Sequence, residues 1–267
     1  MTSLPPPTLR PPTLPHPTGT AAGPHDAAFL PRLQFALREA ERPITAPVPK
    51  LGGEPCWLAE PAWPLSPGTG EPLVFVGQFA VPGEDVRLAY LFLAADGGLD
   101  GPMGGLDPES GDGLLLVQPG GRIPPFAVIG PPGTRGPTLW RREPDREPSG
   151  EPDRNGHGTP VEFHLDLVPL PGDLDRAMDE RAAFQRYLRG EGPEVRFPDG
   201  GHVHDHVGGL PSFPSGRAEV PAPWRYFFAL SDAPYEDDPY FLDFGYGDGF
   251  GFLSPDGLEG RFYWDIP

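Results

Sequence analysis

Leu51-Gly52-Gly53-Glu54-Pro55 and Val207-Gly208-Gly209-Leu210-Pro211 are two copies of one short stretch, and their recurrence decides how the fold is read. Each copy is followed by an aromatic-rich run and then by a second echo. Leu91-Phe92-Leu93-Ala94-Ala95-Asp96-Gly97 is answered by Gly251-Phe252-Leu253-Ser254-Pro255-Asp256-Gly257. The glycine pairs start 156 positions apart, from Gly52 to Gly208, and the Asp-Gly pairs 160 apart, from Asp96 to Asp256. Order and spacing both repeat, which is the mark of an internal duplication. The physics of each part is plain. Paired glycines permit positive φ or a close backbone approach, the proline two residues on stops a helix, and Asp-Gly closes a hairpin.

Outward from those stretches, composition sets the bounds. The chain has 267 residues, enough for one large β-rich domain or two fused halves with a real core. It carries 42 prolines and 37 glycines, a usage that in a chain poor in large side chains would mean disorder. Aromatic residues at 11% argue for a packed protein instead, so the excess is assigned to a tail and to many tight turns. The net charge of −18 and the pI near 4.6 exclude the clustered Lys and Arg on which nucleic-acid and anionic-membrane binding rest, and leave a basic protein as the natural partner. Among the 20 basic residues there is one lysine, Lys50. Cys56 is the single cysteine, which rules out an intrachain disulfide and a cysteine-based zinc site. With no apolar run near the ~20 residues of a membrane span and no basic-then-apolar leader, the expectation is a soluble cytoplasmic bacterial protein.

The first 25 residues read as a proline-rich tail in polyproline II or disorder. Residues 26–267 then read as one domain of two pseudo-repeats, about 43–134 and 160–267, joined by a charged, proline-bearing linker over 135–159. Asp26 and Pro31 can start a helix through Leu33, Phe35, Leu37 and Ala40, ended by Pro43. A second, stronger helix is predicted over about 173–189, with Asp173 as N-cap, Leu174, Met178, Phe184 and Leu188 near helical spacing, and Gly190 as the stop. Between Pro and Gly punctuation lie strand candidates at 73–79, 88–93, 114–117, 126–129, 161–167, 224–230, 250–253 and 261–266. The predicted class is therefore α+β, predominantly antiparallel β, in two similar halves with one helix before the second.

Few residues offer chemistry. His202, His204 and His206 would share one face of a strand, with Asp205 beside them, yet the spacing lacks the extra residue of the H-x-H-x-D-H zinc hydrolases. A histidine-rich turn is the better reading, and no metal or other cofactor is expected. The acidic segment from Asp232 to Asp248 does not match a calcium loop and reads as an acidic hairpin loop suited to a basic protein surface, with Asp237, Asp238 and Asp248 as its binding candidates. No G-x-S-x-G elbow and no phosphate-binding glycine loop occurs. Gln78, alone in an apolar strand, must hydrogen-bond a strand edge or a bound group once buried.

The stretches LGGEPCWLAEPAWP, PLVFVGQF, HVGGLP, FGYGDGFGFLSPDGL and GRFYW together resemble the YwqG-like bacterial family, a domain of unknown function. The resemblance covers about residues 43–267. It falls on Gly52, Gly53, Pro55, Trp63, Pro64 and Gln78 in the first half, and on Gly208, Gly209, Pro211, Gly247 and Asp248 in the second. Tyr246 stands where the family usually shows tryptophan, and Ala229 where a second glutamine is common. What the resemblance implies is a mostly antiparallel α+β fold of two similar halves, with no established reaction. Some relatives sit in toxin and immunity gene neighbourhoods. The expected function is thus a non-enzymatic interaction protein of the immunity type acting on a basic partner. The alternative is an enzyme or small-molecule or metal-binding protein with a site between the halves.

Overall fold

Leu33, Phe35 and Leu37 lie two residues apart, and in the structure that alternation, not helical spacing, governs the first element. A computed structural model describes residues 32–94, 107–141, 158–169, 205–209, 211, 213, 220, 223–231, 233, 238–244 and 247–266. Strand β1 (Leu33–Glu39) replaces the helix expected there, with Leu33 and Phe35 buried. Its physical cause is the partner: β10 (Glu162–Pro169) offers a seven-residue antiparallel ladder from Leu33↔Pro169 to Glu39↔Phe163. A ladder of that length overrides a weak helical pattern.

The α+β class is corrected with it. No described residue is helical, and the described chain is all β; the helix expected over about 173–189 lies outside the described residues. The other strands are β2 (Lys50–Gly52), β3 (Pro64–Leu65), β4 (Val74–Ala80), β5 (Leu88–Leu93), β6 (Gly113–Gln118), β7 (Val128–Ile129), β8 (Trp140–Arg141), β9 (Thr159–Pro160), β11 (His206–Val207), β12 (Arg225–Ser231), β13 (Asp248–Leu253) and β14 (Gly260–Asp265). No described helix is long and apolar enough to cross a membrane.

Ten of these strands form one antiparallel sheet in the order β14-β13-β12-β11-β1-β10-β2-β4-β5-β6. The order is alike from either end. β1 and β10 are the central pair, flanked on one side by β11 to β14 and on the other by β2, β4, β5 and β6. Each central strand lies against the far part of the chain: β1 pairs with β11, and β10 pairs with β2. Neither flank can therefore complete its sheet without a strand from the other. Two short ladders, β3 with β7 and β8 with β9, lie outside the sheet, the second joining the ends of the expected linker.

The sheet curls until its end strands, β6 and β14, nearly meet. A Cβ at Gly260 would overlap the Leu115 carbonyl, so only glycine permits this approach. Ion pairs reinforce the seam: Arg122 meets Asp256 at 2.7 Å and Glu259 at 3.2 Å, and Arg261 meets Glu109 at 3.2 Å. The interior is solid with side chains. Phe79 stacks on Phe35 at 5.8 Å and on Phe228 at 4.2 Å, and Phe228 reaches Phe262 at 6.1 Å, a column of rings drawn from β1, β4, β12 and β14. Apolar residues also cover the outside. Trp63, Phe75 and Phe92 pack under the chain after β2, while Phe250, Phe252 and Tyr263 pack beneath Phe213 and Trp224.

Candidate functional site

Lys50 is fully buried, and it begins a polar row that crosses the first half of the sheet. The register places Lys50 on β2 opposite Gln78 on β4, and Gln78 opposite Tyr90 on β5. Gln118 continues the row at the end of β6. All four side chains point at one loop, Glu54 to Glu60, and hydrogen-bond its backbone. Lys50 Nζ donates to the carbonyls of Ile44 at 3.0 Å and Glu54 at 2.6 Å, and to Glu162 Oε1 at 2.5 Å. Gln78 accepts from the Cys56 amide at 2.9 Å and donates to the Val48 carbonyl at 2.7 Å. Tyr90 donates to the Cys56 carbonyl and accepts from the Leu58 amide, and Gln118 holds both Ala59 and Glu60. Burial raises the Tyr90 phenol well above its ordinary range, partly offset by the Leu58 amide.

Gln78 is thus a strut within the protein, its amide committed at both ends to backbone. The loop it pins lays Trp57 over Tyr90 at 4.9 Å and Phe92 at 6.0 Å, and Trp63 closes the cluster while donating its indole to the Leu73 carbonyl. Pro64 opens β3 and Pro55 is buried in the loop. The glycine pairs start these turns. Gly52 and Gly53 have φ of 67° and 65°, and Gly208 and Gly209 both have 70°, the left-handed region that other residues enter at a cost.

Asp205 and His206, the described part of the histidine cluster, face different partners. Asp205 accepts from the Ser231 amide at 2.6 Å and from the Tyr240 hydroxyl at 3.0 Å. His206 is buried, with Nε2 at 2.8 Å from the Tyr226 hydroxyl. Burial drives both tyrosines well above the ordinary phenol range, and the Asp205 carboxylate adds to the effect at Tyr240. His202 and His204 lie outside the described residues. Among the described residues no three His, Cys, Asp or Glu side chains gather in a way that could hold a metal.

The acidic segment is where sequence reasoning fell short. Asp237 lies outside the described residues, and Asp238 is half-buried. Asp248, also half-buried, opens β13 opposite Asp265, beside a Gly247 packed on the Asp265 carbonyl. Tyr240, Phe241, Leu242 and Phe244 are all buried, so this part of the acidic segment packs its apolar side chains into the protein. Two tilted ring pairs result, Trp140 with Phe241 at 5.6 Å and Phe244 with Trp264 at 5.7 Å. Between them opens a crevice of about 50 Å³, walled by these rings and by apolar side chains of β4 and β5, with Asp243 its one charged lining residue. The aromatic residues interleaved with the acids at 240–244 were the available signal. The solitary lysine two residues before the first glycine pair was another.

Comparison of the chain with family models, with curated proteins and with solved structures finds no match.

Proposed function

We propose that this chain is a YwqG-like cytoplasmic bacterial protein that acts by binding, with a basic protein as its partner in the manner of an immunity protein. Charge carries the reading. Lys50 and the arginines 38, 87, 122, 135, 141 and 261 are each engaged by an acidic residue of the chain itself. The net charge of −18 is the surplus of 38 acidic over 20 basic residues along the chain. Such a field speeds encounter with a cationic surface and repels nucleic acid and acidic membranes.

The test is association kinetics against basic proteins encoded beside this one, at about 50 mM and about 500 mM salt, where screening differs severalfold. Association should slow steeply with salt, and the Asp237→Asn/Asp238→Asn variant should be slower only at low salt. Tight binding that ignores both changes would defeat the proposal.

A further inference from the structure

The two strands that carry the glycine pairs hold opposite charges at like places. Lys50 on β2 lies opposite Gln78, and His206 on β11 lies opposite Ala229, each two residues before its glycine pair. The registers with the central strands agree as well. Glu162 on β10 faces Gly52, and the pairing of Leu33 with Val207 sets Arg32 at the level of Gly208. Side chains follow the same rule, since a Cβ at Gly53 would run into Glu162 and one at Gly209 into Arg32. Where the first half sets a carboxylate beside its glycine turn, the second sets a guanidinium.

The carboxylate is answered and the guanidinium is not. Glu162 receives Lys50 Nζ at 2.5 Å and the Ile44 amide at 3.1 Å. Arg32 Nε is the only buried side-chain nitrogen or oxygen among the described residues without a hydrogen-bond partner. Arg38, Arg122 and Arg261, by contrast, each meet a carboxylate of the chain. A buried N–H with no acceptor is costly, and native proteins place a partner, water or ion against it. We infer that Arg32 receives the carboxylate of an incoming ligand, which completes beside Gly208 and Gly209 a sign-reversed form of the Lys50-Glu162 pair. Guanidinium suits that group, because Nε and a terminal nitrogen make two parallel bonds to its two oxygens. Arg32 as a whole is half-buried, so a ligand reaches it without the sheet opening. Burial raises the Tyr226 phenol, while the Arg32 charge lowers it and the Asp248 charge raises it further. The surroundings thus hold one cation and one anion, and take the single charge of a carboxylate better than the nearly double charge of a phosphate. None of this needs the basic partner proposed above.

The readout is the arginine Nε–H region of the nitrogen-proton correlation spectrum of the full chain, which reports Arg32 directly. Its signal is identified by backbone connectivity and by its loss in Arg32→Gln. Sodium acetate is titrated against sodium chloride at equal ionic strength, with acetamide as the neutral counterpart and inorganic phosphate alongside. Acetate should move the Arg32 signal and saturate with a dissociation constant on the order of millimolar, leaving those of Arg38, Arg122 and Arg261 in place. Acetamide should move nothing. N-acetyl-glycylglycine offers the same carboxylate on a peptide end. Tighter binding than acetate assigns the site to a polypeptide terminus and equal binding assigns it to a free acid; either supports it. Acetate should also raise Tm more than chloride does, and Arg32→Lys, which keeps the charge but loses the fork, should need about tenfold more acetate for the same rise. On the unaltered protein alone, an Arg32 signal that acetate leaves still, or that chloride or acetamide moves equally, would overturn the site. Saturation by phosphate at lower concentration than by acetate would overturn its assignment to a carboxylate.

Discussion

Lys50 shows how much of the first half hangs on one side chain. Its ammonium is completely buried, its three donors are used by Ile44, Glu54 and Glu162, and Glu162 in turn accepts the Ile44 amide through its other oxygen at 3.1 Å. Removing one member of a buried pair strands the other charge, at about 3 to 5 kcal/mol, while replacing both by apolar groups is far milder. Lys50→Met is therefore expected to lower stability to urea by that amount, and adding Glu162→Leu to return part of it. A loss below about 1 kcal/mol for the single variant would mean that water reaches the site, contrary to its burial. The position was half legible. One lysine in the chain, set before Gly52, marks a residue under constraint, but the carboxylate that answers it lies 112 residues away.

At the scale of elements, apolar runs were readable and their partners were not. The runs over 73–79 and 88–93 announce β4 and β5 because both faces of those strands are covered, so nearly every side chain is apolar. β1 misled because its outer face is half exposed: Ala36 and Arg38 serve a helix as well as a strand edge, and only the long ladder with β10 decides. The exchange of the central strands leaves no local trace at all. The seam between β6 and β14 is likewise invisible in sequence, since Gly260 looks like one turn glycine among many. Its role can be tested. Gly260→Ala puts a methyl group against the Leu115 carbonyl and should cost about 1 to 3 kcal/mol, the usual range for overpacking. Amide exchange should then speed up in β6 and β14 before β1 and β10. A uniform change along the sheet would show that the seam is not a separate unit of stability.

At the scale of the whole molecule, the phenols of Tyr90, Tyr226 and Tyr240, spread over both halves, make the fold sensitive to base. Tyr90, Tyr226 and Tyr240 are each held neutral well beyond the ordinary phenol range, chiefly by burial. The sign follows from linkage. Below pH ~10 the phenols are protonated whether the chain is folded or not, so their pairing with Cys56, His206 and Asp205 is fully available. Above it the unfolded chain releases protons that the folded chain keeps, and stability falls by about 1.4 kcal/mol per pH unit for each phenol until the folded value is reached. The surplus of acidic residues deepens the loss, because every tyrosinate adds to a charge that already repels itself. Urea midpoints should stay level from pH 7 to about 9.5 and then drop steeply, with the part of the tyrosinate absorbance near 295 nm that Tyr→Phe replacement assigns to these three phenols rising together with unfolding and not ahead of it. Tyr240→Phe separates the two contributions. It removes one titrating group but no formal charge at neutral pH, so the alkaline slope should shrink by about 1.4 kcal/mol per pH unit. If any of these three phenols ionises in the folded protein near pH 10, it is open to water and not held as its burial requires.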